Sequence, residues 1–126
     1  CAKLSYRNEA PVLNKLAGTD LSEIRSKVLA ASVKGGDEQV DKVIRKAAKT
    51  IGYAAVNLIH LLTPDVIILG GGLVEALSSI YLDEVKKTVA ENVLECYAET
   101  YKIKLAQLGD DAAALGAAIW ASSRLH

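Results

Sequence analysis

The chain has 126 residues, 51% of them hydrophobic, and its 15 basic side chains are balanced by 15 acidic ones. That composition excludes a disordered chain and suits one small domain or part of a larger one. Even charge without a basic stripe or tail argues against nucleic-acid binding by this chain, and no apolar run nears the roughly 20 residues that span a bilayer. Cys1 and Cys96 lie far apart, with no CxxC or Cys/His cluster, so neither a zinc site nor a disulfide framework is indicated. Two free thiols and the lack of a signal-peptide pattern make a cytoplasmic location the expectation. The chain opens on Cys1 rather than Met and contains no Met or Phe, as expected of a piece of a longer protein.

Residues 1–16 carry weak periodicity. Leu4, Tyr6, Val12, Leu13 and Leu16 can cover part of a core, and Pro11 can open a short helix. Gly18-Thr19-Asp20 reads as a turn, with Asp20 and Glu23 forming an aspartate version of the capping box. Ile24, Val28 and Ala31 then share a helical face, Gly35-Gly36 ends that helix, and Asp37 is expected to cap the next. In that next segment Val40, Val43, Ile44, Ala47, Ala48, Ile51, Ala54, Ala55, Leu58, Ile59 and Leu62 keep the helical rhythm. From Asp37 to Leu62 this predicts a helix about 39 Å long. Lys42, Arg45, Lys46 and Lys49 mark its wet side, whereas 52–62 is nearly all apolar and is expected to be buried. Asn57 and His60 are the polar exceptions. His60 reads as a proton shuttle or ligand, or as a helix-end histidine bonded to a carbonyl or partly exposed; the second reading is preferred, and its near-neutral reference pKa does not choose. Thr63-Pro64 stops the helix.

Val66 to Leu69 is a short run of branched apolar residues bounded by Pro64 and glycine, which reads as a strand buried on both faces. Such strands belong to parallel sheets covered by helices. Gly70, Gly71 and Gly72 stand at its carboxyl end, where open α/β sheets bind ligands. A helix-like segment follows, whose free N–H groups could face a phosphate or a polar nucleotide edge. Glu75 stands where the dinucleotide fingerprint requires Gly or Ala, and no Gly-Lys-Ser/Thr completes a Walker loop. The glycines are therefore either a place where a ligand approaches bare backbone or a tight strand-to-helix turn. Leu77, Tyr81, Val85, Val89 and Val93 step along a second long helix, with Asp83, Glu84, Lys86, Lys87 and Glu91 on its wet side. Asp83 and Glu84 diverge on a helix and read as solvated rather than catalytic. Tyr101 to Leu108 alternates as a strand with one wetter face. Asp110 or Asp111 is the expected N-cap of the last helix; as a metal pair they lack a third hard ligand nearby. The small residues from Ala112 to Ala118 predict close packing against a sheet or helix, which would offset the roughly 1 kcal/mol that Gly116 costs against Ala.

Two strands separated by a helix imply a parallel β-α-β unit. The fold class is thus α/β with long covering helices, and further strands are expected in sequence outside this chain. Three segments together resemble the ROK family, named for repressors, open reading frames and sugar kinases. Leu62 to Gly72 is similar to its P-x-x-I-x-x-G-G-G segment, and Leu108 to Ala118 to its L-G-D-x-A-x-x-x-G-A-A segment. Ala30 to Asp37 is similar to the A-x-x-G-D turn before its long helix. The resemblance runs from about Leu21 to Ser122.

It implies part of an actin-like ATPase (ribonuclease H-like) domain, with residues 1–126 a carboxyl-terminal fragment lacking the amino-terminal domain. It implies a parent glucokinase-like enzyme moving phosphoryl from ATP, with Mg²⁺, to a hexose such as glucose. Gly70, Gly71, Gly72 and Leu73 are implied to touch adenosine. The family's phosphate loop, catalytic Asp and Cys-rich zinc motif are not recognisable here, and Ala2-Lys3 stands where a Leu-Glu pair often follows that motif. No catalytic or metal residue is carried over, and the isolated chain is expected to be inactive. Two other readings are the effector domain of a sugar-responsive ROK repressor and a non-catalytic scaffold. A bare sheet edge also predicts self-association or pairing with a missing amino-terminal half.

Overall fold

The computed structural model describes residues 1–18 and 20–124. Thr19, within the expected turn, lies outside the described residues. The chain runs through α1 (Ala2–Tyr6), α2 (Pro11–Ala17), α3 (Ser26–Lys34), α4 (Glu38–Leu62), β1 (Val66–Leu69), α5 (Gly72–Ala76), α6 (Ser78–Asn92), β2 (Lys102–Leu105) and α7 (Ala112–Arg124). Single 3-10 turns sit at Leu21–Glu23, Glu95–Tyr97 and Gly109–Asp111. The two strands pair in parallel, Val66 with Lys102 through Leu69 with Leu105, as a strand–helix–strand order requires. The α/β class and the parallel pairing are therefore as expected. Among the described residues no helix is long and apolar enough to cross a membrane.

The 25-residue α4 is the spine, and each half of it holds a core. Val40, Ile44 and Ala48 pack with Leu13, Ala17 and Ala30 from α2 and α3, and with Leu77 and Tyr81. Ala55, Val56 and Ile59 pack with Val85 and Val89 of α6 and with Leu69 and Ile103 of the sheet. Helices α4 and α6 run side by side in the same direction. Arg45 Nη1 meets Glu84 Oε1 at 2.9 Å near one end, and at the other the Leu94 N–H donates to His60 Nε2 at 3.1 Å. Between these contacts Gly52 meets Thr88 so closely that a Cβ on Gly52 would lie 2.5 Å from the Thr88 Cβ.

Asp37 is 4% exposed and holds the amino-terminal helices to this spine. It precedes α4, but its side chain makes no capping bond to that helix. Its carboxylate accepts instead from the N–H groups of Val12 (3.2 Å) and Leu13 (2.7 Å) in the first turn of α2, and from the Ser32 hydroxyl (2.6 Å). The expected cap is thus corrected: Asp37 caps a helix 24 residues upstream in sequence. Burial pushes its pKa up, and the Ser32, Leu13 and Val12 hydrogen bonds together outweigh that and hold it below the usual carboxylate value. Asp20 is likewise displaced from its expected role. It accepts from the Ser22 N–H and hydroxyl at the 3-10 turn, and α3 starts only at Ser26.

Several expectations of burial fail for one shared reason, that exposed apolar side chains have no cover among the described residues. The inner face of the sheet carries Ile67, Leu69, Ile103 and Leu105, while Val66 (42%) and Ile68 (66%) lie open beside Lys102 and Lys104 on the outer face. So β1 is buried on one face, not two. In α4, Leu58, Leu61 and Leu62 are exposed, so residues 52–62 are buried only along the α6 side. None of α7 is buried, Leu115, Ile119 and Trp120 are exposed, and a Cβ on Gly116 would meet nothing within 4 Å. The close packing expected of its small residues is absent from this structure. The second strand is also shorter than Tyr101–Leu108, and the helix after the glycines breaks at Leu77 (φ −133°) into α5 and α6. Asp110 and Asp111 lie in a 3-10 turn that runs on into α7 rather than at an extended N-cap, and the Asp110 side chain is outside what is described.

Two outcomes follow from these contacts. Gly52→Ala should lower stability by about 1–3 kcal/mol through overpacking against Thr88, although alanine is the better helix former by about 1 kcal/mol; urea melts read the sign. Asp37→Ala should cost about 3 kcal/mol by leaving two backbone donors and a hydroxyl without their charged acceptor. Because the folded Asp37 pKa is depressed, its contribution is present above the unfolded value of about 3.9 and is lost as pH falls through the folded value. Melts from pH 7 to pH 2 should therefore lose less stability in Asp37→Ala than in the wild type.

Candidate functional site

Leu69 and Leu105 are register partners at the carboxyl ends of the strands, and the Ala106 N–H donates to the Leu69 carbonyl at 2.8 Å. Beyond them the backbones part, β1 toward α5 and β2 toward α7. A cleft of about 390 Å³ opens there, lined by Leu69, Gly70, Gly71, Val74, Glu75, Ser78, Leu105, Ala106, Gly109 and Ala112. Small-molecule pockets span about 300–1,000 Å³ and favour this position in α/β sheets.

Gly71 has φ 106° and ψ 155°, a backbone region open in practice only to glycine. A Cβ there would meet nothing within 4 Å, so conformation rather than crowding requires the glycine, and the space over it is open. At Gly109 (φ +51°) the Glu75 carboxylate takes the place that a side chain would fill; the Glu75 Cδ lies 3.2 Å from an added Cβ. Of the four residues expected at the ligand, Gly70 and Gly71 line the cleft. Gly72 and Leu73 are outside its lining: Gly72 turns toward Ser26, and Leu73 packs half-buried against the core under α3. The expected helix end is weak as an anion site, because α5 has only 5 residues and few aligned peptide dipoles.

Sequence reasoning missed Glu75, Ser78, Ala106 and Gly109 as cleft residues. Glu75 was visible one helical turn after Gly71, and its N–H donates to the Gly71 carbonyl at 3.0 Å. Gly109 stood in the segment similar to the L-G-D motif, with no ligand role attached to it.

The other candidates have structural partners. His60 is half-buried, lies with its ring centroid 5.4 Å from that of Tyr97 at a tilt of 42°, and accepts from the Leu94 N–H, so its partner is an N–H rather than a carbonyl. Glu84 is paired with Arg45, while Asp83 is exposed. Among the described residues no group of three or more His, Cys, Asp or Glu side chains could hold a metal ion.

The cleft fits a nucleoside better than a metal-bound triphosphate. Leu69, Val74 and Leu105 offer an apolar wall and Gly70–Gly71 bare backbone. Its one described ionisable side chain is Glu75, which would repel phosphate, and no described cluster suits Mg²⁺.

The structure aligns over 92% of its length with a crystal structure described as that of a candidate sugar kinase from Cytophaga hutchinsonii, at a TM-score of 0.67 and 24% identity, covering 41% of that chain. That likeness shows a shared fold. Among curated proteins, a glucokinase from Thermotoga maritima is 27% identical over 104 residues, 82% of this chain and 32% of its own length. An uncharacterised protein from Clostridium perfringens is 24% identical over 100 residues, 79% of this chain and 34% of its own. The chain thus spans about a third of the length of the curated relatives it matches. The sequence profile of the ROK family matches residues 9–124, nearly the whole chain. The chain belongs to the ROK family.

Proposed function

We propose that this chain is the nucleotide-binding carboxyl-terminal part of a ROK-family sugar kinase, within an actin-like ATPase domain, and that the cleft holds the adenosine of ATP. The observation that carries the reading is the open cleft at the carboxyl ends of two parallel strands, with Gly71 held at φ 106° and nothing above it. The Thermotoga maritima relative named a glucokinase supports a hexose such as glucose as the acceptor in the parent protein.

ATP, when bound, supplies the phosphoryl group that the parent enzyme passes to a sugar hydroxyl. The residues of this chain bind and orient. Gly70 and Gly71 let a flat base and ribose come against backbone, where any Cβ would hold them off. Leu69, Val74 and Leu105 line the cleft and remove apolar surface of the base from water. A general base must reach the hydroxyl it deprotonates, and phosphoryl transfer needs metal and phosphate clamps. Those parts are assigned to the remainder of the parent protein, so the isolated chain should bind nucleotide without turnover.

Calorimetric titration of ATP and ADP should show binding that Ala106→Trp removes by filling the cleft from an exposed position. Substituting Gly71 would be a poorer test, since its backbone strain would add to any loss of contact. No binding by the folded wild type would contradict the kinase reading and favour a sugar-sensing effector domain that need not take ATP. Glucose phosphorylation by the purified chain would contradict the assignment of the chemistry elsewhere.

A further inference from the structure

We infer that Glu75 reads the ribose of the bound nucleotide by accepting hydrogen bonds from its 2′- and 3′-hydroxyls. This rests on the proposal that the cleft takes a nucleoside.

Glu75 is an exposed residue on the cleft wall, and among the described residues its carboxylate has no hydrogen-bond or ion-pair partner. Its position is nonetheless defined. Its backbone is tied to Gly71 through the 3.0 Å bond to the Gly71 carbonyl, and its side chain lies in the space left by the absent side chain of Gly109. The carboxylate therefore bridges the mouth of the cleft from the β1 side to the β2 side. Ser78, one helical turn further on, lines the same wall, and its hydroxyl has no partner among the described residues either. The polar side chains among the lining residues thus come from α5 and the start of α6, while Leu69 and Leu105 stand at the strand ends.

A carboxylate only accepts hydrogen bonds, and it repels phosphate. Its matching ligand group is a pair of neighbouring donors, one for each oxygen. A vicinal diol offers that pair, whereas the adenine amine presents a single group. Acidic side chains bind ribose hydroxyls in dinucleotide folds for the same physical reason. Placing the ribose at Glu75 leaves the apolar part of the cleft for the base and sends the phosphates away from the carboxylate.

The test compares ATP with 2′-deoxyATP and 3′-deoxyATP on the wild type and on Glu75→Ala, by calorimetry or amide-shift titration. Removing the charge alters attraction for every nucleotide alike, so the ratio within each protein isolates the hydroxyl. The wild type should prefer ATP about tenfold over either deoxy form, the size of one hydrogen bond to a charged group, and Glu75→Ala should bring the ratio to about one. Should the alanine variant lose ATP altogether, the ratio is read on Glu75→Gln, where one acceptor oxygen remains and a smaller preference is expected. Equal affinities in the wild type, or a preference that survives the loss of Glu75, would overturn the role of Glu75 and leave the cleft reading standing. Failure of the wild type to bind ATP would remove both.

Discussion

The contact between Gly52 and Thr88 sets the rest of the structure. The Gly52 backbone there lies against the Thr88 side chain, and a side chain on Gly52 would hold the two helices apart. Arg45 with Glu84 above, and His60 with the Leu94 amide below, fix the relative height of α4 and α6. That height decides how deeply Val85 and Val89 reach toward Ile59 and Ile103, and so where the sheet sits against its helices. The sheet in turn brings Leu69 and Leu105 level. Two parallel strands that end together, followed by chains that diverge, leave a cleft.

A second constraint acts from the other end of α4. Asp37 gathers α2 and α3 through one buried carboxylate, closing the core that also holds Leu77 and Tyr81. Leu73 and Leu77 connect that core to α5, and α5 carries Glu75 to the cleft wall. The cleft is thus supported from both cores, the β1 side by the first and the strand ends by the second. Tyr81 of α6 belongs to that first core, and its burial there pushes the phenol pKa up.

The sequence made the regular elements legible wherever a local signal was enough. The rhythm of α4 from Val40 to Ile59, the β-branched run of β1 and the alternation of Ile103 with Lys102 and Lys104 each follow from neighbours in the chain. What escaped were nonlocal matters. Asp37 looked like a cap for α4 because its true partners, Val12 and Leu13, lie far upstream. Leu61 and Ile68 read as core because hydropathy reports a preference for burial and not whether a partner surface is present. At the cleft, glycines advertised Gly70 and Gly71, but Leu73 turned inward. Glu75 was read only as a departure from the dinucleotide fingerprint, because a single acid on a helix surface is normally just a solvated side chain.

The central claim is that a nucleoside sits between the ends of β1 and β2. Amide-resolved NMR during titration of adenosine tests that location directly. The account predicts that Gly70, Gly71, Glu75, Ala106 and Gly109 shift together along one saturation curve, while His60 and Leu94, joined at the far end of the α4–α6 pair, stay still. Saturable shifts centred elsewhere, or none at all in a folded chain, would contradict it.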